Sequence, residues 1–421
     1  MIEVGPLKGN TMNNGYGRRA VLLDRRGFLK AASGGAAGLA LLNSVTRGQV
    51  TDGPTAKILD VQVSDGVTIV ADNGTTGGFR GSRSQDLNAL KSHVREIREL
   101  LVGSSPLDRT LGGEMLWEAI YPGRASLFAE GHDPLTGKLI VNKPRGDRHT
   151  KTGRVFMAFS TVDIALWDLR GKLLNLPAYR IMGNAHRTEV PVYWRPGEAD
   201  KGLDDARRRA REAYDRGYLY QKWYFTKAAK DGASGLKQNI ELVRVLREEL
   251  PDAHLMFDNH SIRYYDDVDY SVKLCKAVAN YKPFWIEEPI CPEHLEGYAK
   301  IKEESGVVIA GGEHWHTRWQ VKPFLERKCV DYVQSDPVWC GGISEWLRVC
   351  ELVRQYSGVK VVPHITSPWI AAPHCVASQP EELCPLLEFN YEGGRRALEG
   401  SMNRSPAGCV VMTMPDGPGI S

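Results

Sequence analysis

Residues 255–288 have the sequence LMFDNHSIRYYDDVDYSVKLCKAVANYKPFWIEE, and this stretch decides the fold. It begins with a short apolar run, Leu255–Asn259, and ends with another, Phe284–Glu288. The pattern between them predicts a helix over Val268–Ala279. A strand, a helix and a second strand in this order are typical of a unit whose two strands lie parallel.

The same alternation continues along the chain from residue 190 onward. Eight short apolar runs are separated by helical stretches, and the runs are Val190–Trp194, Leu219–Phe225, Leu255–Asn259, Phe284–Glu288, Val308–Glu313, Tyr332–Pro337, Lys360–Ile365 and Leu386–Asn390. Eight strands with intervening helices favour a (β/α) barrel over a sandwich. An open doubly wound sheet is the alternative, but no Gly-rich nucleotide fingerprint follows any of these strands.

The segment before the barrel has a mixed pattern. Ile58–Val63 and Val67–Ala71 are two predicted strands around a Ser-Asp-Gly turn, and Asp86–Leu101 has helical periodicity. Gly74–Ser84 is rich in glycine and polar residues, which predicts a loop. Phe156–Leu174 has apolar residues at i, i+3, i+4 and i+7, which predicts an amphipathic helix. Together these elements indicate an α+β block.

Polar residues stand at the ends of the predicted barrel strands. They are Lys222, Asp258, Glu287, Glu313, Asp336, His364 and Glu388. In a barrel of parallel strands these ends meet at one mouth, which is where such enzymes place catalysis. Asp258, Glu287 and Glu313 come from adjacent strands, and three carboxylates so close together need a cation to stay ionised. A ligand set made only of oxygen atoms favours Mg²⁺ over Zn²⁺.

An ordered set of motifs resembles a known family. The motifs are Phe257-Asp258-Asn259, Trp285-Ile286-Glu287-Glu288-Pro289, Gly312-Glu313-His314, Asp336-Pro337 with Gly341-Gly342-Ile343, Val362-Pro363-His364 and, nearer the N-terminus, Val162-Asp163-Ile164-Ala165-Leu166-Trp167-Asp168. The chain resembles the mandelate racemase/muconate lactonizing branch of the enolase superfamily. The resemblance implies an α+β capping domain over residues 54–188 and a modified TIM-type (β/α)7β barrel over residues 189–392. It also implies that a C-terminal segment, residues 393–421, returns to the capping domain.

The resemblance also implies roles for the residues at the strand ends. The ligands of one Mg²⁺ ion per subunit would be Asp258, Glu287 and Glu313. The substrate would be a carboxylate that loses the proton alpha to its carboxylate group. His364 would be the base for that step, with Asp336 orienting and charging its ring.

The second barrel strand departs from the racemases of the family, which carry Lys-x-Lys there. This chain has Lys222-Trp223-Tyr224, so a phenol with an unperturbed pKa of about 10 replaces the second lysine. A two-base racemization is therefore disfavoured, and Lys222 keeps the role of lending positive charge. The motifs around Glu313 and His364 look most like those of rhamnonate-type acid-sugar dehydratases. We therefore expect dehydration of an aldonate or aldarate to a 2-keto-3-deoxy acid through an enediolate.

Two other interpretations stay open. A racemase, an epimerase or a cycloisomerase of a carboxylate substrate would use His364 together with Tyr224 or Lys222. An exported sugar-acid-binding protein that has lost catalysis is the alternative from another functional class. Binding alone needs no base such as His364 paired with Asp336, which disfavours that alternative.

Four further residues are candidate substrate contacts. Glu388 matches a family position that contacts the substrate carboxylate or a water on the metal. His314 directly follows Glu313 and is within reach of a substrate hydroxyl. Asn259 follows another predicted ligand, so it either binds substrate or caps the next helix. Arg80, in the Gly-rich stretch, is a candidate to close over an anionic substrate.

Composition and charge narrow the function classes further. Of 421 residues 42% are hydrophobic and 25% charged, which excludes a disordered chain, a collagen and a polytopic membrane protein. The net charge of +3 comes without a charge run, so no nucleic-acid partner is expected. The eight cysteines have no zinc-type spacing and predict buried free thiols, formed in a reducing compartment. From the family resemblance we expect a homo-oligomer.

Residues 1–53 do not have the pattern of a folded domain. Arg25-Arg26 precedes the weakly apolar run Ala31–Leu42, which resembles a twin-arginine export signal. This run is shorter than the roughly 20 residues that a membrane-spanning helix needs. We therefore expect the twin-arginine export machinery as a partner and a periplasmic or exported location. If the segment is only a disordered basic leader, the location would be cytoplasmic.

Overall fold

A computed structural model of the protein describes several stretches of the chain. They are residues 55–81, 86–91, 94–112, 154–196, 201–259, 267–365, 370–389 and 401–420. The expected export signal in residues 1–53 lies outside the described residues. None of the described helices is long and apolar enough to cross a membrane.

A small antiparallel sheet opens the described part of the chain. Its strands, which pair in sequence order, are β1 (Ile58–Val63), β2 (Gly66–Ala71) and β3 (Thr76–Arg80). The predicted strands β1 and β2 are confirmed. Their apolar side chains Ile58, Val61, Val67 and Ile69 are buried, as the sequence pattern requires of a sheet with one face in a core.

Helices cover this sheet and connect it to the barrel. They are α1 (Leu87–Lys91), α2 (Val94–Leu101), α3 (Arg154–Leu174) and α4 (Tyr179–Met182). The helix α3 confirms the predicted element but not its amphipathic character, because residues 157–171 are all buried. It lies between the small sheet on one side and a barrel helix on the other. The helix is therefore buried on every face, and polar residues such as Asp163 and Asp168 are buried in it together with apolar ones.

The Gly-rich stretch Gly74–Ser84, predicted as a loop, contains the strand β3, so that prediction is wrong. Gly77 lies where β3 crosses α3, and a Cβ atom there would be 2.4 Å from the backbone nitrogen of Leu169. A glycine is needed for the strand to approach the helix so closely. The glycines that suggest a loop are present because the strand packs closely against a helix.

A larger sheet forms the (β/α)7β barrel. Its eight parallel strands are β4 (Glu189–Trp194), β5 (Tyr220–Tyr224), β6 (His254–Asp258), β7 (Trp285–Glu287), β8 (Ile309–Gly311), β9 (Tyr332–Val333), β10 (Lys360–Val361) and β11 (Leu387–Phe389). The helices between them are α5 (Leu203–Asp215), α6 (Gly232–Glu249), α7 (Val268–Val278), α8 (Leu295–Ser305), α9 (Arg318–Glu326), α10 (Ile343–Val353) and α11 (Ala371–Ala377). Each strand overlaps one of the eight predicted apolar runs, which confirms the predicted alternation.

Neighbouring barrel strands pair in sequence order. Parallel ladders run from β4 to β10, and β11 pairs with β4. Within the described ranges β10 and β11 share no ladder, and Val361 N instead donates to Leu383 O at 2.8 Å. Apolar side chains fill the interior, including Tyr193 and Trp285, whose rings meet edge to face at 5.6 Å. Because the interior is packed, the carboxyl ends of the strands are the place for a site.

The C-terminal segment contacts both parts of the fold. The strands β12 (Met402–Arg404) and β13 (Val410–Thr413) form a hairpin, and β13 pairs antiparallel with β4. Farther along, the backbone N–H of Ile420 donates to the Asp168 carboxylate on α3 at 2.9 Å. The hairpin has no counterpart among the elements predicted from the sequence.

The cysteines are free thiols, and six of the eight are buried. The other two, Cys291 and Cys409, are half-buried. Burial raises the pKa of the Cys275 thiol to about 12, which makes it unreactive at neutral pH. The prediction of buried free thiols is confirmed for these six.

We predict that Gly77→Ala destabilises the protein and that Gly78→Ala does not. The new Cβ at position 77 would meet the α3 backbone at 2.4 Å, whereas at position 78 its nearest neighbour is Val67 O at 3.6 Å. Overpacking of the first kind costs about 1–3 kcal/mol in the free energy of unfolding, and the second change should cost less than about 0.5 kcal/mol. Chemical denaturation measures both values. Equal stabilities would contradict the close approach of β3 and α3.

Candidate active site

The residues predicted at the strand ends converge at one end of the barrel. Tyr224, Asp258 and Glu287 occupy one level of three neighbouring strands, because the ladders pair Tyr224 with Asp258 and Asp258 with Glu287. Side chains at one level of adjacent strands point to the same face of the sheet. The other strand-end residues are Lys222 on β5, Glu313 after β8, Asp336 after β9, His364 after β10 and Glu388 on β11. Each of these residues is at most 8% exposed.

Lys222 is at the centre of the first group of contacts. Its Nζ lies 2.6 Å from Glu287 Oε1, 3.2 Å from Asp258 Oδ2 and 3.5 Å from Glu388 Oε1. Trp285 Nε1 donates to the other oxygen of Glu287 at 3.1 Å. One buried ammonium group therefore compensates part of the charge of three buried carboxylates.

The charge balance of this group is incomplete. Burial and the nearby Asp258 raise the pKa of Glu287 to about 8, although Lys222 lowers it. Burial by itself lowers the pKa of Lys222, but Glu287 and Glu388 outweigh it and hold that pKa well above its usual value. At neutral pH the lysine is charged, and the raised pKa of Glu287 indicates that one ammonium group does not fully compensate these carboxylates. The group thus offers the negative charge and the oxygen atoms that a divalent cation requires.

Arg195, which is not among the predicted site residues, also pairs with Glu388. Its Nε lies 3.1 Å from Glu388 Oε1, and its Nη1 donates to Tyr224 Oη at 3.0 Å. Burial raises the pKa of Glu388, but Lys222 and Arg195 outweigh that effect and lower it to about 2. Because Arg195 directly follows β4, the rule that polar residues end the barrel strands would have found it.

Tyr224 ends β5, two residues after Lys222. Its ring centroid lies 5.9 Å from Lys222 Nζ, and its hydroxyl oxygen accepts the hydrogen bond from Arg195. Burial raises the pKa of Tyr224 above its usual value. A phenol with a raised pKa is a poor base at neutral pH, so hydrogen bonding is the chemistry that this residue offers.

His364 and Asp336 form the predicted pair at the ends of β10 and β9. His364 Nδ1 lies 2.9 Å from Asp336 Oδ2, and the Trp339 ring lies against the imidazole with 4.7 Å between centroids. The other ring nitrogen, Nε2, lies 3.8 Å from Glu313 Oε2. Burial lowers the pKa of His364, but Glu313 and Asp336 outweigh it and raise it to about 9. One nitrogen is thus held by Asp336 while the other is directed at the carboxylate group.

A second compact set of candidate ligands lies beside the first. His314 Nδ1 lies 2.8 Å from Glu288 Oε1, and its Nε2 lies 3.8 Å from Glu313 Oε1. One ligand atom from each of these three residues lies within 4.8 Å of the others. Glu288 has a φ of 39°, which is rare for a residue with a side chain. Consecutive glutamates therefore contact different partners, since Glu287 bonds to Lys222 and Glu288 to His314.

The two sets differ in the metal that they suit. The predicted set (Asp258, Glu287 and Glu313) is all oxygen, which Mg²⁺ prefers, whereas Glu288, Glu313 and His314 include a nitrogen that suits softer ions. Lys222 lies within 3.2 Å of both Asp258 and Glu287, so an ion bound there would share these carboxylates with the lysine. Lys222 thus links two of the predicted ligands, Asp258 and Glu287, whereas the third, Glu313, lies in the compact set with Glu288 and His314.

Two predicted substrate contacts, Asn259 and Arg80, bond to partners other than the strand-end side chains. Asn259 Nδ2 donates to Pro289 O at 3.0 Å, which ties the end of β6 to the segment after β7, and its Oδ1 has no hydrogen-bond partner among the described residues. Arg80 is exposed at the end of β3 and pairs with Asp65 at 3.5 Å. In the described parts of the chain, no contact links Arg80 to the barrel mouth. Of the other predicted contacts, Glu388 and His314 both lie in the groups described above.

The chain is similar to known proteins both in sequence and in fold. A sequence model of the family described as enolase C-terminal domain-like (MR_MLE_C) matches residues 205–421. An L-rhamnonate dehydratase from Saccharopolyspora erythraea is 35% identical over 220 residues, which are 52% of this chain and 53% of that protein. A D-galactarolactone cycloisomerase from Agrobacterium fabrum is 31% identical over 283 residues, which are 64% of this chain and 71% of that protein.

A solved structure adds a relative with a bound metal. It is a rhamnonate dehydratase from Gibberella zeae complexed with Mg, with a TM-score of 0.62 and 27% sequence identity. The match covers 84% of this chain and 78% of that chain. The alignment with the Saccharopolyspora protein, by contrast, spans only about half of that relative's length, at 53%. The relatives named here are enzymes, two dehydratases and a cycloisomerase.

We predict that Lys222→Met lowers the stability of the metal-free protein far more than Lys276→Met. Loss of the Lys222 ammonium leaves Asp258 and Glu287 buried without their partner, a change that costs about 3–5 kcal/mol. Lys276 pairs with Glu304 at 2.7 Å, but the two side chains are 50% and 38% exposed, so its loss should cost about 0–1 kcal/mol. Denaturant unfolding with a chelator present measures both. Similar losses would contradict the central role of Lys222.

Proposed function

The chain belongs to the enolase C-terminal domain-like family, and from this membership and the site geometry we propose that it is a Mg²⁺-dependent dehydratase of a sugar acid. The product would be a 2-keto-3-deoxy acid. The observation that carries the proposal is the pair of His364 and Asp336 at 2.9 Å, whose other ring nitrogen faces buried carboxylates. Removal of a proton alpha to a carboxylate needs a base directed at such a cation-binding group.

We assign the metal to Asp258, Glu287 and Glu313. The raised pKa of Glu287 indicates excess negative charge in this group, which a divalent cation held by these carboxylates would offset. When bound, Mg²⁺ supplies positive charge beside the carboxylate of the substrate. The Mg in the Gibberella zeae rhamnonate dehydratase supports this choice of ion.

His364 performs the first proton transfer. Asp336 holds Nδ1 and leaves Nε2 facing the site. Nε2 takes the proton from the carbon alpha to the substrate carboxylate, and the electron pair of that C–H bond moves toward the carboxylate to form an enediolate. Lys222, charged and buried, stabilises the added negative charge. Glu313 is one of the carboxylates that raise the pKa of His364, so a cation held by Glu313 would favour the neutral imidazole that a base requires.

Departure of the beta-hydroxyl completes the dehydration. The proton that His364 has taken returns from Nε2 to this hydroxyl, the C–O bond breaks and water leaves. The enol that remains tautomerises to the 2-keto-3-deoxy acid. One histidine serves both steps, so the reaction needs no second base, and the raised pKa of Tyr224 is no obstacle.

A cycloisomerase is the second candidate function. The 31% identity with the D-galactarolactone cycloisomerase favours it. Such an enzyme would use the same base and cation-binding group on a lactone of a sugar acid. Racemization is disfavoured, because the position of its second base holds Tyr224, whose hydroxyl is bonded to Arg195.

We predict that the purified protein forms a 2-keto acid from at least one aldonate or aldarate when Mg²⁺ is present, and that a chelator abolishes the product. A positioned general base contributes about 10²–10⁴-fold, so His364→Asn should lower kcat by at least about 100-fold. A keto-acid assay over a panel of sugar acids and their lactones measures both effects.

The outcomes of this screen separate the candidate functions. Conversion of a lactone without a 2-keto product would select the cycloisomerase. Ligand binding that depends on Mg²⁺ but yields no product would select the binding protein. Unchanged turnover in His364→Asn would contradict the role of His364 as the base.

We predict that Glu287→Gln weakens Mg²⁺ binding much more than Glu288→Gln. Loss of a ligand charge should lower the affinity by at least about tenfold. Neutralising Glu288, which bonds to His314 and not to a predicted ligand, should lower it less. Calorimetric titration with Mg²⁺ measures both affinities, and the two variants differ only in which consecutive glutamate is neutralised. The opposite order would assign the ion to the set that contains Glu288 and His314.

A further inference from the structure

The helix α3 carries a buried carboxylate that reaches a barrel helix. Asp163 on α3 accepts hydrogen bonds from the backbone N–H of Ser344 at 2.8 Å and from the Ser344 hydroxyl at 2.6 Å. Ser344 belongs to the first turn of α10, the helix that follows β9. The motif around Asp163 is part of the family resemblance, but the proposed mechanism gives it no role.

Asp163 takes the place of a missing helix cap. The first backbone N–H groups of a helix have no partner within the helix, and the side chain of the residue before it commonly accepts from them. For α10 that residue is Gly342, which has no side chain and a left-handed φ of 98°. A Cβ atom on Gly342 would lie 2.4 Å from Asp163 Oδ2. The glycine therefore makes room for a carboxylate that α3 supplies.

Two other residues of α3 hold the same segment. Ser160 Oγ accepts from the backbone N–H of Gly341 at 3.1 Å, and Trp167 Nε1 donates to the Ser344 hydroxyl at 2.9 Å. Ser160, Asp163 and Trp167 are spaced by three and four residues, which aligns them on one face of the helix. All three are buried. The start of α10 is thus fixed by a row of side chains on α3.

The segment fixed by α3 begins at the proposed catalytic pair. We call residues 336–344 the dyad turn, a segment that ends at Ser344 in the first turn of α10. The backbone oxygen of Asp336 accepts from the N–H groups of Trp339 and Cys340 at 2.9 and 2.8 Å, and the Trp339 ring lies against His364. One end of the dyad turn therefore carries the partner of His364, and the other end carries the contacts with α3.

We propose that Asp163 is a positioning residue for the pair of Asp336 and His364, an inference that rests on the proposed function. Asp163 holds the far end of the dyad turn. It thereby keeps Asp336 Oδ2 at hydrogen-bonding distance from the imidazole and keeps Trp339 against it. Asp163 acts through the turn and not on the substrate. A displacement of about 1 Å in a catalytic pair can lower turnover by about 100-fold, so loss of this contact should lower kcat.

Asp163→Asn tests the proposal, with Asp168→Asn as the matched control. Both carboxylates are buried on α3. Asp168 instead accepts from the N–H groups of Gly78 and Ile420, at 2.8 and 2.9 Å, away from the dyad turn. In each variant the amide keeps the shape of the side chain but replaces one acceptor oxygen with a donor. Both variants lose stability, but only Asp163→Asn loosens the dyad turn.

The first readout needs no substrate. Cys340 in the dyad turn is fully buried, and His364 is 8% exposed. We expect Asp163→Asn to speed the labelling of Cys340 by a thiol reagent and of His364 by diethyl pyrocarbonate by at least about tenfold, mapped by peptide mass. Cys275, buried on α7, reports unfolding of the whole protein and should keep its rate.

The second readout uses the proposed reaction. Asp163→Asn should lower kcat by about 10- to 100-fold and change KM by less than about threefold, because the groups that bind substrate stay in place. Asp168→Asn should keep both constants.

Equal labelling of Cys340 and His364 in the wild type and in Asp163→Asn would overturn the proposal. Equal increases in Asp163→Asn and Asp168→Asn would overturn it as well, because α3 would then act only through general stability. A wild-type protein that converts no sugar acid would contradict the proposed function. The labelling rates would still decide in that case whether Asp163 holds the dyad turn.

Discussion

Burial of three carboxylates around the ammonium group of Lys222 is the constraint on which the rest of the structure depends. Asp258, Glu287 and Glu388 come from three different strands, and each is at most 1% exposed. Removing such groups from water costs several kcal/mol per ion, so the barrel tolerates them only because cations lie among them. Lys222 and Arg195 do not balance the charge, as the raised pKa of Glu287 shows. Because a divalent cation would relieve this excess on binding, the fold and the proposed chemistry depend on the same charges.

The surroundings of these charges keep them dry and fixed in place. Tyr193 and Trp285 stand two residues before strand-end positions, and their side chains pack in the barrel interior. A closely packed, water-poor environment strengthens electrostatic interactions. It therefore raises both the stabilisation from each ion pair and the cost of an uncompensated charge. Outside the barrel, α3 is buried on every face and bonds to the start of α10. Through α3 the small sheet is therefore connected to a barrel helix by packing and by side-chain hydrogen bonds.

The barrel and most of its strand-end residues could be predicted because both leave a local pattern in the sequence. A buried strand appears as an apolar run in the sequence. The polar residue that ends the run can be recognised without knowing which strands lie beside it. The features that escaped prediction depend on contacts between distant segments. The strand that contains Gly77 has a Gly-rich sequence because it packs closely on α3. Arg195 pairs with Glu388 because β11 lies beside β4, a contact between distant parts of the chain. Asp163 caps a distant helix, because its hydrogen-bond partner Ser344 lies 181 residues later in the sequence. Such contacts leave no periodic signal in one sequence.

The excess negative charge at the barrel mouth is tested most directly by unfolding the metal-free protein at increasing Mg²⁺ concentration and constant ionic strength. An ion that binds only the folded state adds about 2.7 kcal/mol to the free energy of unfolding at 100 times its Kd. We predict a stabilisation that grows with the logarithm of the Mg²⁺ concentration and that Na⁺ does not reproduce. An unfolding midpoint that Mg²⁺ leaves unchanged would contradict the view that these carboxylates are arranged to hold a divalent cation.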